Sequence, residues 1–468
     1  MDSSDQNNPL VTVYITNYNY APFLEQSIRS VLDQTFQDFE LIIIDDGSSD
    51  NSEEIIEKYR ENDKVRIIYQ QNKGLNATNN VAIAEACGKY IVRLDADDYL
   101  EPSALGMMVT LLEADPELGL VFPDYYYVDE DGNVTGQERR HHFDDEVTLY
   151  DQPAHGACTM VRLDFLKKMG GYDEEFTCQD GYELWIKFVT FYKVTNISRP
   201  LFSYRRHGNN LTVNEDRILS TRKAIKEKFV SAHLKSPNTL AIIPVRDKFI
   251  GSVNWPLMEY NGKTVLEHKV LQCLNSRNIN HIVITSADQG TLELARDVFA
   301  SKPTVQVVER SSEFAREGVS LKETIDLVLE HVHSNFDALA TISLDYPFLD
   351  ATIIDEAVNT LAIFKSDSVI STRADLSTYY MHNGTSLKAI LDQNKYTRYE
   401  REALYKGVGG LVVTTVKSYL KRSSMMGKRI AHVLLTSREA FGVHDAFHFE
   451  VFQELVKLEN RTLKKAAS

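Results

Sequence analysis

The sequence predicts an α/β protein with two domains in tandem, each built on a parallel sheet with helices on both faces. Apolar runs of strand length alternate with amphipathic stretches twice, first from residue 11 to about 204 and again from 240 to about 458; this alternation is typical of parallel sheets. The length of 468 residues exceeds what one hydrophobic core usually serves, which also favours two domains. Hydrophobic residues make up 43% and charged residues 25% of the chain, as in ordinary folded proteins.

The first half opens with a β-α-β unit. The pattern predicts a strand over residues 11–15, a helix over 23–35 and a second strand over 40–44. Strands that alternate with helices in this way pair in parallel.

The domain boundary is expected at the segment Ser236-Pro237-Asn238. From residue 209 to 236 the sequence becomes charged and helical, and proline disfavours helix in the residue before it. A fresh strand over residues 240–244 then opens the second half. We therefore expect one domain over residues 10–225 and another over 238–468.

The net charge and the cysteines narrow the class of protein. A formal charge of −16 argues against a protein that mainly binds DNA or RNA, because phosphate contacts need clustered Lys and Arg.

The first nine residues lack the basic start and apolar run of a signal peptide, and no window is long enough to span a bilayer. We expect a cytoplasmic protein, and contact with the inner face of the membrane stays open. The scattered cysteines suit a reducing compartment; they are Cys87, Cys158, Cys178 and Cys273.

Acidic residues follow the strand predicted at residues 40–44. Asp45-Asp46-Gly47-Ser48 comes directly after it, and open α/β sheets bind ligands beyond the carboxyl ends of their strands. A carboxylate there can accept hydrogen bonds from a nucleoside base or ribose. The alternative is a turn in which Asp caps the helix that begins near Asn51, and these residues alone leave both interpretations open.

A second predicted strand, over residues 90–94, leads into Asp95-Ala96-Asp97-Asp98. Three acids this close repel one another unless a cation or solvent compensates. Mg²⁺ and Mn²⁺ prefer such oxygen ligands and usually share their coordination sphere with substrate phosphates. The pattern therefore predicts a divalent cation site, with a solvated acidic turn as the alternative.

Four motifs follow one another in the first half: VTVYITNYN (11–19), SVLDQTF (30–36), FELIIIDDGSSD (39–50) and LDADD (94–98). Together they resemble glycosyltransferase family 2, of the GT-A fold, over roughly residues 10–215. The resemblance implies that Thr16, Tyr18 and Asp46 hold the donor nucleoside, with Asp46 facing the base. It also makes Asp95 and Asp97 the family's Asp-X-Asp pair: Asp97 is the principal metal ligand, and Asp95 approaches the ribose, or the metal through water.

The segment GGYDEEFTCQDGYELW (170–185) resembles the part of the family that carries the catalytic base, and Asp180 occupies the place of that base. Gln179 replaces the family's common Glu. In an inverting reaction the base takes the proton of the acceptor hydroxyl, across the sugar from the leaving diphosphate. We assign Trp185 to the core.

Three other positions complete the first site. The segment PLFSYRRH (200–207) resembles the family's closing Tyr-Arg-X-His, which makes His207 a ligand of the metal or a contact of the diphosphate, with the two preceding arginines adding positive charge. A surface histidine in a basic loop is the alternative. By family analogy His155 and Gly156 lie in the acceptor region. Asn79 stands where the family mostly has Arg, which puts help with the diphosphate from that position in question.

Five segments of the second half are LAIIPVR (240–246), YNGKTVLE (260–267), IVITSAD (282–288), LDYPFL (344–349) and DSVIS (367–371). They resemble the CMP-sugar (acylneuraminate) cytidylyltransferases over about residues 239–457. In that family two lysines hold the nucleotide triphosphate, but Ile250 and Trp255 occupy their places here. The family's C-terminal Asp-X-Asp metal pair is replaced by FGVHD (441–445). Asp345 is the remaining candidate for a cation ligand.

The two resemblances imply two tandem Rossmann-like nucleotide-binding domains, a GT-A domain followed by a nucleotidyltransferase-like one. We expect an inverting glycosyltransferase that needs Mn²⁺ or Mg²⁺. It would move a sugar from a nucleotide diphosphate donor, a UDP-sugar being one candidate, to a hydroxyl of a glycan, lipid-linked or protein acceptor. Two alternatives stay open: a bifunctional glycosyltransferase and CMP-sugar synthetase, or a non-catalytic second domain that serves as a binding scaffold or forms a homo-oligomer.

Overall fold

The computed structural model describes residues 8–138, 155–207, 215–316, 318–375, 377, 380–382, 384–389 and 404–466. The chain folds as two compact units, Met1–Ile225 and Lys226–Ser468. Part of the segment that we predict to be charged and helical, residues 209–214, lies outside the described residues.

Strands and helices alternate through the first unit. Its strands are β1 (Val11–Asn17), β2 (Phe39–Asp45), β3 (Val65–Tyr69), β4 (Tyr90–Asp95), β5 (Tyr99–Leu100), β6 (Leu118–Val128), β7 (Val134–Glu138), β8 (Met160–Arg162) and β9 (Lys193–Arg205). Its helices are α1 (Ala21–Leu32), α2 (Ser52–Glu57), α3 (Leu75–Glu85), α4 (Ala104–Ala114), α5 (Leu163–Lys168) and α6 (Asp180–Phe191). The division between the units falls within α7 (Glu215–His233). The predicted β-α-β unit is thus present as β1, α1 and β2.

The nine described strands of this unit form one sheet in the order β3-β2-β1-β4-β8-β6-β9-β5, with β7 beside β6. β1 lies between β2 and β4 and runs parallel to both. β8 and β5 run antiparallel to their neighbours, so the sheet is mixed rather than purely parallel. Antiparallel additions of this kind are common in large α/β sheets, and they leave the carboxyl ends of β1, β2 and β4 together at one edge.

The central strands of the first sheet are covered on both faces, which explains their apolar sequences. Val11, Val13 and Ile15 of β1 pack into one hydrophobic cluster, and the two residues between them are also buried. Strands covered by helices on both faces lack the polar–apolar alternation of half-exposed strands. Acidic residues begin where β2 and β4 end, at Asp45 and Asp95.

The second unit carries its own sheet and helices. Its strands are β10 (Thr239–Pro244), β11 (Phe249–Ile250), β12 (Val253–Asn254), β13 (Glu259–Tyr260), β14 (Lys263–Thr264), β15 (Ile279–Ser286), β16 (Val305–Glu309), β17 (Ala338–Ile342), β18 (Ser368–Asp375), β19 (Tyr380–His382), β20 (Leu387–Ala389), β21 (Leu404–Thr415) and β22 (Ile430–Leu434). Its helices are α8 (Val265–Asn275), α9 (Gln289–Phe299), α10 (Lys322–His331), α11 (Ala351–Phe364), α12 (Val416–Arg422) and α13 (Ala446–Ala466), with a 3₁₀ turn at Ser312–Ala315.

Seven of its described strands form a sheet in the order β16-β15-β10-β17-β21-β18-β22. β16, β15, β10 and β17 are parallel, and β21 runs antiparallel to both of its neighbours. The α/β class predicted for both halves is therefore confirmed, with mixed sheets in which parallel pairing dominates at the centre.

None of the described helices combines the length and the apolar composition that crossing a membrane requires.

Candidate active site

Three parallel strands bring predicted site residues to one edge of the first sheet. Thr16 of β1 lies opposite Asp95 of β4, and Asn17 lies opposite Asp45, the last residue of β2. Asp46 follows directly. This edge, beyond the carboxyl ends of the strands, is where open α/β sheets bind ligands.

Asp45 closes the turn after β2. Its Oδ1 accepts hydrogen bonds from the backbone N–H groups of Gly47 (3.0 Å) and Ser48 (2.8 Å), and its Oδ2 accepts one from the side-chain amide of Asn17 (2.8 Å). Gly47 has a φ of +81°, and a Cβ there would lie 2.9 Å from the backbone nitrogen of Asn72. Asp45 therefore closes a turn, as the alternative interpretation expects, but the N–H groups that it accepts from lie before α2, so it does not cap that helix.

Asp46 holds the loop before α3. Its Oδ1 accepts from the Gln70 side-chain amide (2.7 Å) and the Lys73 N–H (2.9 Å), and its Oδ2 accepts from the Gly74 N–H (3.0 Å). Gly74 supplies a φ of +85° directly before the helix. Because a carboxylate offers about four acceptor positions, this arrangement leaves capacity for a nucleoside. Contact of Asp46 with a base stays a prediction.

Hydrogen bonds connect the residues that follow β1 to the turn that follows β2. Asn19, with a φ of +61°, donates its N–H to Oγ of Ser48 (2.9 Å) and accepts from the N–H of Ser49 (2.7 Å). The Tyr18 side chain beside it is 48% exposed. Its ring is thus accessible at the strand edge, where a base could stack on it.

Asp95 is paired with a cation that the sequence analysis missed. Nε of Arg93 lies 2.9 Å from Oδ1 of Asp95, and the Thr16 hydroxyl donates to the same oxygen at 3.4 Å. Arg93 and Asp95 are two residues apart in β4, so their side chains leave the same face of the sheet. The charge of Asp95 is therefore partly balanced from within its own strand.

The same guanidinium reaches the predicted base. Nη1 of Arg93 donates to Oδ2 of Asp180, which is the first residue of α6. Burial lowers the pKa of Arg93, but the charges of Asp180 and Asp95 outweigh it and raise this pKa well above its ordinary value. The available signal was an arginine inside the apolar run of β4, because a buried charge needs partners.

Gly156 lies against this ion pair. A Cβ at this position would lie 2.6 Å from Nη2 of Arg93 and 3.0 Å from Oδ2 of Asp180. Burial lowers the pKa of the neighbouring His155 to about 4, so its ring is neutral at pH 7. Its Nδ1 accepts from the Ala157 N–H (3.2 Å), which places the ring proton on Nε2. The segment expected to meet the acceptor thus borders the predicted base.

Asp97 and His207, the two predicted metal ligands, are in contact. Oδ2 of Asp97 lies 2.9 Å from Nε2 of His207. The His207 ring stacks on Phe23 with centroids 5.7 Å apart and meets Tyr20 edge-on at 5.6 Å. Only 7% of its side chain is exposed. The alternative of a surface histidine is therefore wrong.

Arg205 holds the backbone of the acidic loop, residues 95–98, at the end of β4. Its backbone N–H donates to Oδ1 of Asp98 (2.8 Å). Its guanidinium donates to the carbonyl oxygens of Asp97 (2.9 Å), Asp129 (3.0 Å) and Glu130 (2.7 Å). Because the side chain is buried, it shapes the backbone of the loop. Its positive charge next to His207 stays a prediction, and the contacts described here give it a role in shaping the loop.

The acidic loop carries negative charge that the protein balances incompletely. Burial and the charge of Asp95 raise the pKa of Asp97, and burial together with both neighbouring acids raises that of Asp98 well above its ordinary value. Among the described residues, Oδ2 of Asp98 is buried without a hydrogen-bond partner. A divalent cation would relieve this imbalance.

Asp97 and His207 fit such a cation as an incomplete pair of ligands. In the described part of the chain, no three His, Cys, Asp or Glu side chains form a whole metal site. Two neighbouring ligands of an octahedral ion, each about 2.1 Å from it, are about 3 Å apart, close to the 2.9 Å between Asp97 and His207. Water and phosphate oxygens would complete the coordination, as is usual for Mg²⁺.

Three further positions serve packing and local shape. Asn79 is fully buried, and its Oδ1 accepts from the Tyr14 hydroxyl (3.2 Å), so it cannot take over the role of the family's arginine. Trp185 is also fully buried, which confirms its assignment to the core. Gln179 adopts a φ of +64° directly before α6 and accepts from Nε of Arg222 (2.7 Å).

In the second unit, the residues at the two lysine places belong to the interior. Ile250 and Trp255 are buried in the main hydrophobic cluster of this unit, and Nε1 of Trp255 donates to the carbonyl oxygen of Leu344 (3.3 Å). Neither side chain can hold a triphosphate in place of an ammonium group.

Asp345, the acid that we expect to bind a cation in the second unit, is already paired with the ammonium group of Lys248. Nζ of Lys248 donates to Oδ1 of Asp345 (2.8 Å) and to the carbonyl oxygen of Val443 (2.6 Å). The resembling cytidylyltransferases imply CTP and a divalent metal. With the ammonium of Lys248 on Asp345, the residues present do not fit a catalytic metal at that position.

Comparisons with known proteins divide the chain in the same way. The profile of the family described as "Glycosyl transferase family 2" matches residues 12–170, and that described as "Cytidylyltransferase" matches residues 240–439. The uncharacterized glycosyltransferase MJ1057 of Methanocaldococcus jannaschii is 32% identical over an alignment of 243 residues, and the match covers 48% of this chain and 78% of that protein. Chondroitin synthase of Pasteurella multocida strain Pm70 is 31% identical over 232 residues, 49% of this chain and 23% of the synthase. The match therefore spans most of the first relative and less than a quarter of the second.

Two solved structures are similar to about half of the chain. TarS 1–349 of S. aureus in complex with UDP-GlcNAc is 20% identical with a TM-score of 0.41, and the match covers 48% of this chain and 68% of that 1–349 chain. The mannosyltransferase PcManGT of Pyrobaculum calidifontis in complex with GDP-Man and Mn²⁺ is 17% identical with a TM-score of 0.39, covering 48% of this chain and 65% of that protein.

The match to MJ1057 and the match to the family profile both cover the part of the first unit that carries the acidic strand edge. The chain belongs to glycosyltransferase family 2 and is a glycosyltransferase whose family domain is followed by a cytidylyltransferase domain.

Proposed function

We propose that the first unit transfers a sugar, with inversion at the anomeric carbon, from a nucleotide diphosphate donor to an acceptor hydroxyl. One observation supports this most. β4 delivers Asp95 and Asp97 to the carboxyl edge of the sheet, and Arg93 of the same strand holds Asp180 there. Groups for the donor side and for the attacking side are thus fixed to one strand.

The donor nucleoside would bind along the ends of β1 and β2. Asp46 retains acceptor capacity for an N–H of the base, and the exposed ring of Tyr18 offers a stacking surface. The Thr16 hydroxyl and Asp95 lie next to each other at 3.4 Å, which suits hydrogen bonds to a ribose.

Asp97 and His207 would hold Mn²⁺ or Mg²⁺. When bound, such an ion neutralises charge on the departing diphosphate. The protein contributes one oxygen and one nitrogen ligand, which Arg205 and the rings of Tyr20 and Phe23 hold in place. The substrate itself would supply further oxygens.

Asp180 would take the proton from the acceptor hydroxyl. A positioned base of this kind typically contributes about 10² to 10⁴ in rate. Because Arg93 engages Oδ2 of Asp180, the second carboxylate oxygen can receive the proton. Gly156 packs directly against this ion pair, since a Cβ there would lie 2.6 Å from Nη2 of Arg93.

The acceptor is proposed to be a glycan hydroxyl. Two chondroitin synthases and a hyaluronan synthase are among the relatives that are about 30% identical to this chain, and their names denote glycan synthesis. Lipid-linked and protein acceptors are the alternatives to be compared in the same assay.

Release of nucleotide diphosphate tests the proposal. The full chain is incubated with Mn²⁺ and a panel of UDP- and GDP-sugars, with and without short glycan acceptors. We expect release with one donor class, and the anomeric configuration of the product, read by NMR, should be opposite to that of the donor. Asp97→Asn and Asp180→Asn should abolish transfer, whereas Asp63→Asn, at an exposed loop position, should leave it unchanged. Full activity in Asp180→Asn would remove the base assignment.

For the second unit we propose a non-catalytic role in binding or assembly, including homo-oligomer formation. The Lys248–Asp345 ion pair and the buried Ile250 and Trp255 support the loss of nucleotidyl transfer. A bifunctional enzyme would need phosphate-binding cations where the chain has these two apolar side chains.

A further inference from the structure

We propose that Arg93 is a positioning residue that sets the orientation of the base Asp180 relative to the donor-side carboxylate Asp95. The inference rests on the function proposed above, since it assigns a task within the same transfer reaction. Arg93 would act through the two carboxylates, without touching the reacting atoms.

The contacts of Arg93 distinguish it from other buried arginines of the first unit. Its Nε lies 2.9 Å from Oδ1 of Asp95, its Nη2 donates to Oδ2 of Asp95 at 3.4 Å, and its Nη1 donates to Oδ2 of Asp180. By contrast, Arg162 directs its Nε to the carbonyl oxygen of Leu118 (2.7 Å) and its Nη2 to that of Asp115 (2.9 Å). Arg162 supports backbone, whereas the contacts described for Arg93 go to two carboxylates of the proposed reaction.

The position of Arg93 in the fold makes it a link between two elements. It leaves β4 on the same face as Asp95, while Asp180 starts α6, 87 residues later. A guanidinium is a planar, always charged fork that fixes the direction of its partners, unlike the rotatable ammonium of lysine. Because Arg93 contacts both carboxylates, the orientation of Asp180 toward an acceptor hydroxyl depends on the position of Asp95.

The consequence for catalysis is specific. The hydrogen bond from Thr16 to Asp95 is made without Arg93, and the other proposed nucleoside contacts, Tyr18 and Asp46, do not involve Arg93. Donor binding should survive. Asp180 would lose its described partner and take up several orientations, and misplacing a reacting group by about 1 Å can cost about 10²-fold in rate.

The experiment compares kcat with donor binding in three variants of the full chain. Arg93→Gln removes the charge, Arg93→Lys keeps the charge without the planar fork, and Arg162→Lys changes a second buried arginine of the same sheet. For each we measure kcat, KM for the active donor, the melting temperature, and the Kd of UDP and of GDP with Mn²⁺. We expect Arg93→Gln to lower kcat by about 10² to 10³, with KM and Kd within about threefold of the wild-type values. The kcat of Arg93→Lys should be about tenfold higher than that of Arg93→Gln. Arg162→Lys should keep kcat within about threefold.

The outcomes separate this inference from the proposed function. If the wild type transfers sugar and Asp180→Asn does not, but Arg93→Gln keeps kcat within threefold, the inference about Arg93 is overturned while the function stands. An equal loss of kcat and of nucleotide affinity would also overturn it, since that pattern marks a general structural role. Should Arg93→Gln fail to fold, Arg93→Lys decides by the same criterion. A wild type without transferase activity on any donor would reject both.

Discussion

Nε2 of His207 lies 2.9 Å from Oδ2 of Asp97, although 110 residues separate the two in the chain. The contact joins the acidic loop after β4 to the end of β9, and the rings of Tyr20 and Phe23 from the start of α1 enclose it. Two groups that suit a divalent cation are thus placed together before any substrate binds.

The first prediction concerns this pair. His207→Ala should weaken the apparent affinity for Mn²⁺ in the transfer assay on the order of 100-fold, because one of two protein ligands is lost. Raising the Mn²⁺ concentration should restore part of the rate. The measurement is the initial rate as a function of Mn²⁺ concentration. His331→Ala, at the exposed end of α10, is the control, and an unchanged Mn²⁺ dependence in His207→Ala would contradict the metal assignment.

The second prediction concerns the close packing of Gly156 against the Arg93–Asp180 ion pair. In Gly156→Ala the new Cβ would lie 2.6 Å from Nη2 of Arg93, so the guanidinium must move and Asp180 with it. We expect kcat to fall about 10- to 100-fold. In the control Gly106→Ala the Cβ would meet only Cβ of Phe36, at 3.6 Å, an ordinary contact. Equal activity of both alanine variants would show that the ion pair tolerates displacement.

The sequence predicts features that depend on neighbouring residues, but it does not predict contacts between residues that are far apart in the chain. The ends of β2 and β4 are visible in the sequence because apolar runs stop there, so the positions of Asp46 and Asp95 at the strand edge could be predicted. The pairing of Arg93 with Asp180 spans 87 residues, and that of Lys248 with Asp345 spans 97. Such contacts depend on how the elements pack, which local patterns do not encode.

Arg205 illustrates the same limit for a single side chain. The sequence predicts only that it adds positive charge to a basic segment, whereas the structure shows that β9 places it inside the unit, where it donates to backbone carbonyl oxygens. The mixed pairing of the sheets was missed for a related reason. β8 and β21 insert beside strands that are distant in sequence, and no periodicity reports strand direction.

The third prediction concerns the second unit. CTP with Mg²⁺ should not raise the melting temperature of the full chain, because the ammonium of Lys248 already neutralises Asp345. A ligand present at 100 times its Kd would stabilise the native state by about 2.7 kcal/mol, a shift that thermal melting detects. The nucleotide diphosphate of the active donor, with Mn²⁺, is the positive control. A clear rise with CTP, or pyrophosphate release from CTP and a sugar acid, would restore the bifunctional alternative.

The fourth prediction concerns a buried lysine of the second unit. Nζ of Lys269 donates to the carbonyl oxygens of Tyr346 and Leu349, both at 2.8 Å, and burial lowers its pKa from 10.5 to about 8. Between these two pH values the folded state has released the proton that the unfolded state still binds, so stability rises with pH. The full increment is about 3 kcal/mol.

Urea unfolding at pH 7.5 and pH 10 measures most of this increment, about 2.4 kcal/mol. In a Trp185→Phe background, fluorescence comes from Trp255, which lies in the core of the second unit. The lysine-dependent gain should be absent in Lys269→Met and present in the control Lys263→Met, which changes an exposed position. The same pH dependence in Lys269→Met and the parent would contradict the prediction.

The most direct test of the whole account is a crystal structure of the full chain with Mn²⁺ and the nucleotide diphosphate that gives the largest thermal shift, with the metal located by its anomalous scattering. We predict an Mn²⁺ peak within coordination distance of Asp97 and His207, and the nucleoside along Thr16, Tyr18 and Asp46. A nucleotide bound elsewhere, with no metal at Asp97, would contradict the account.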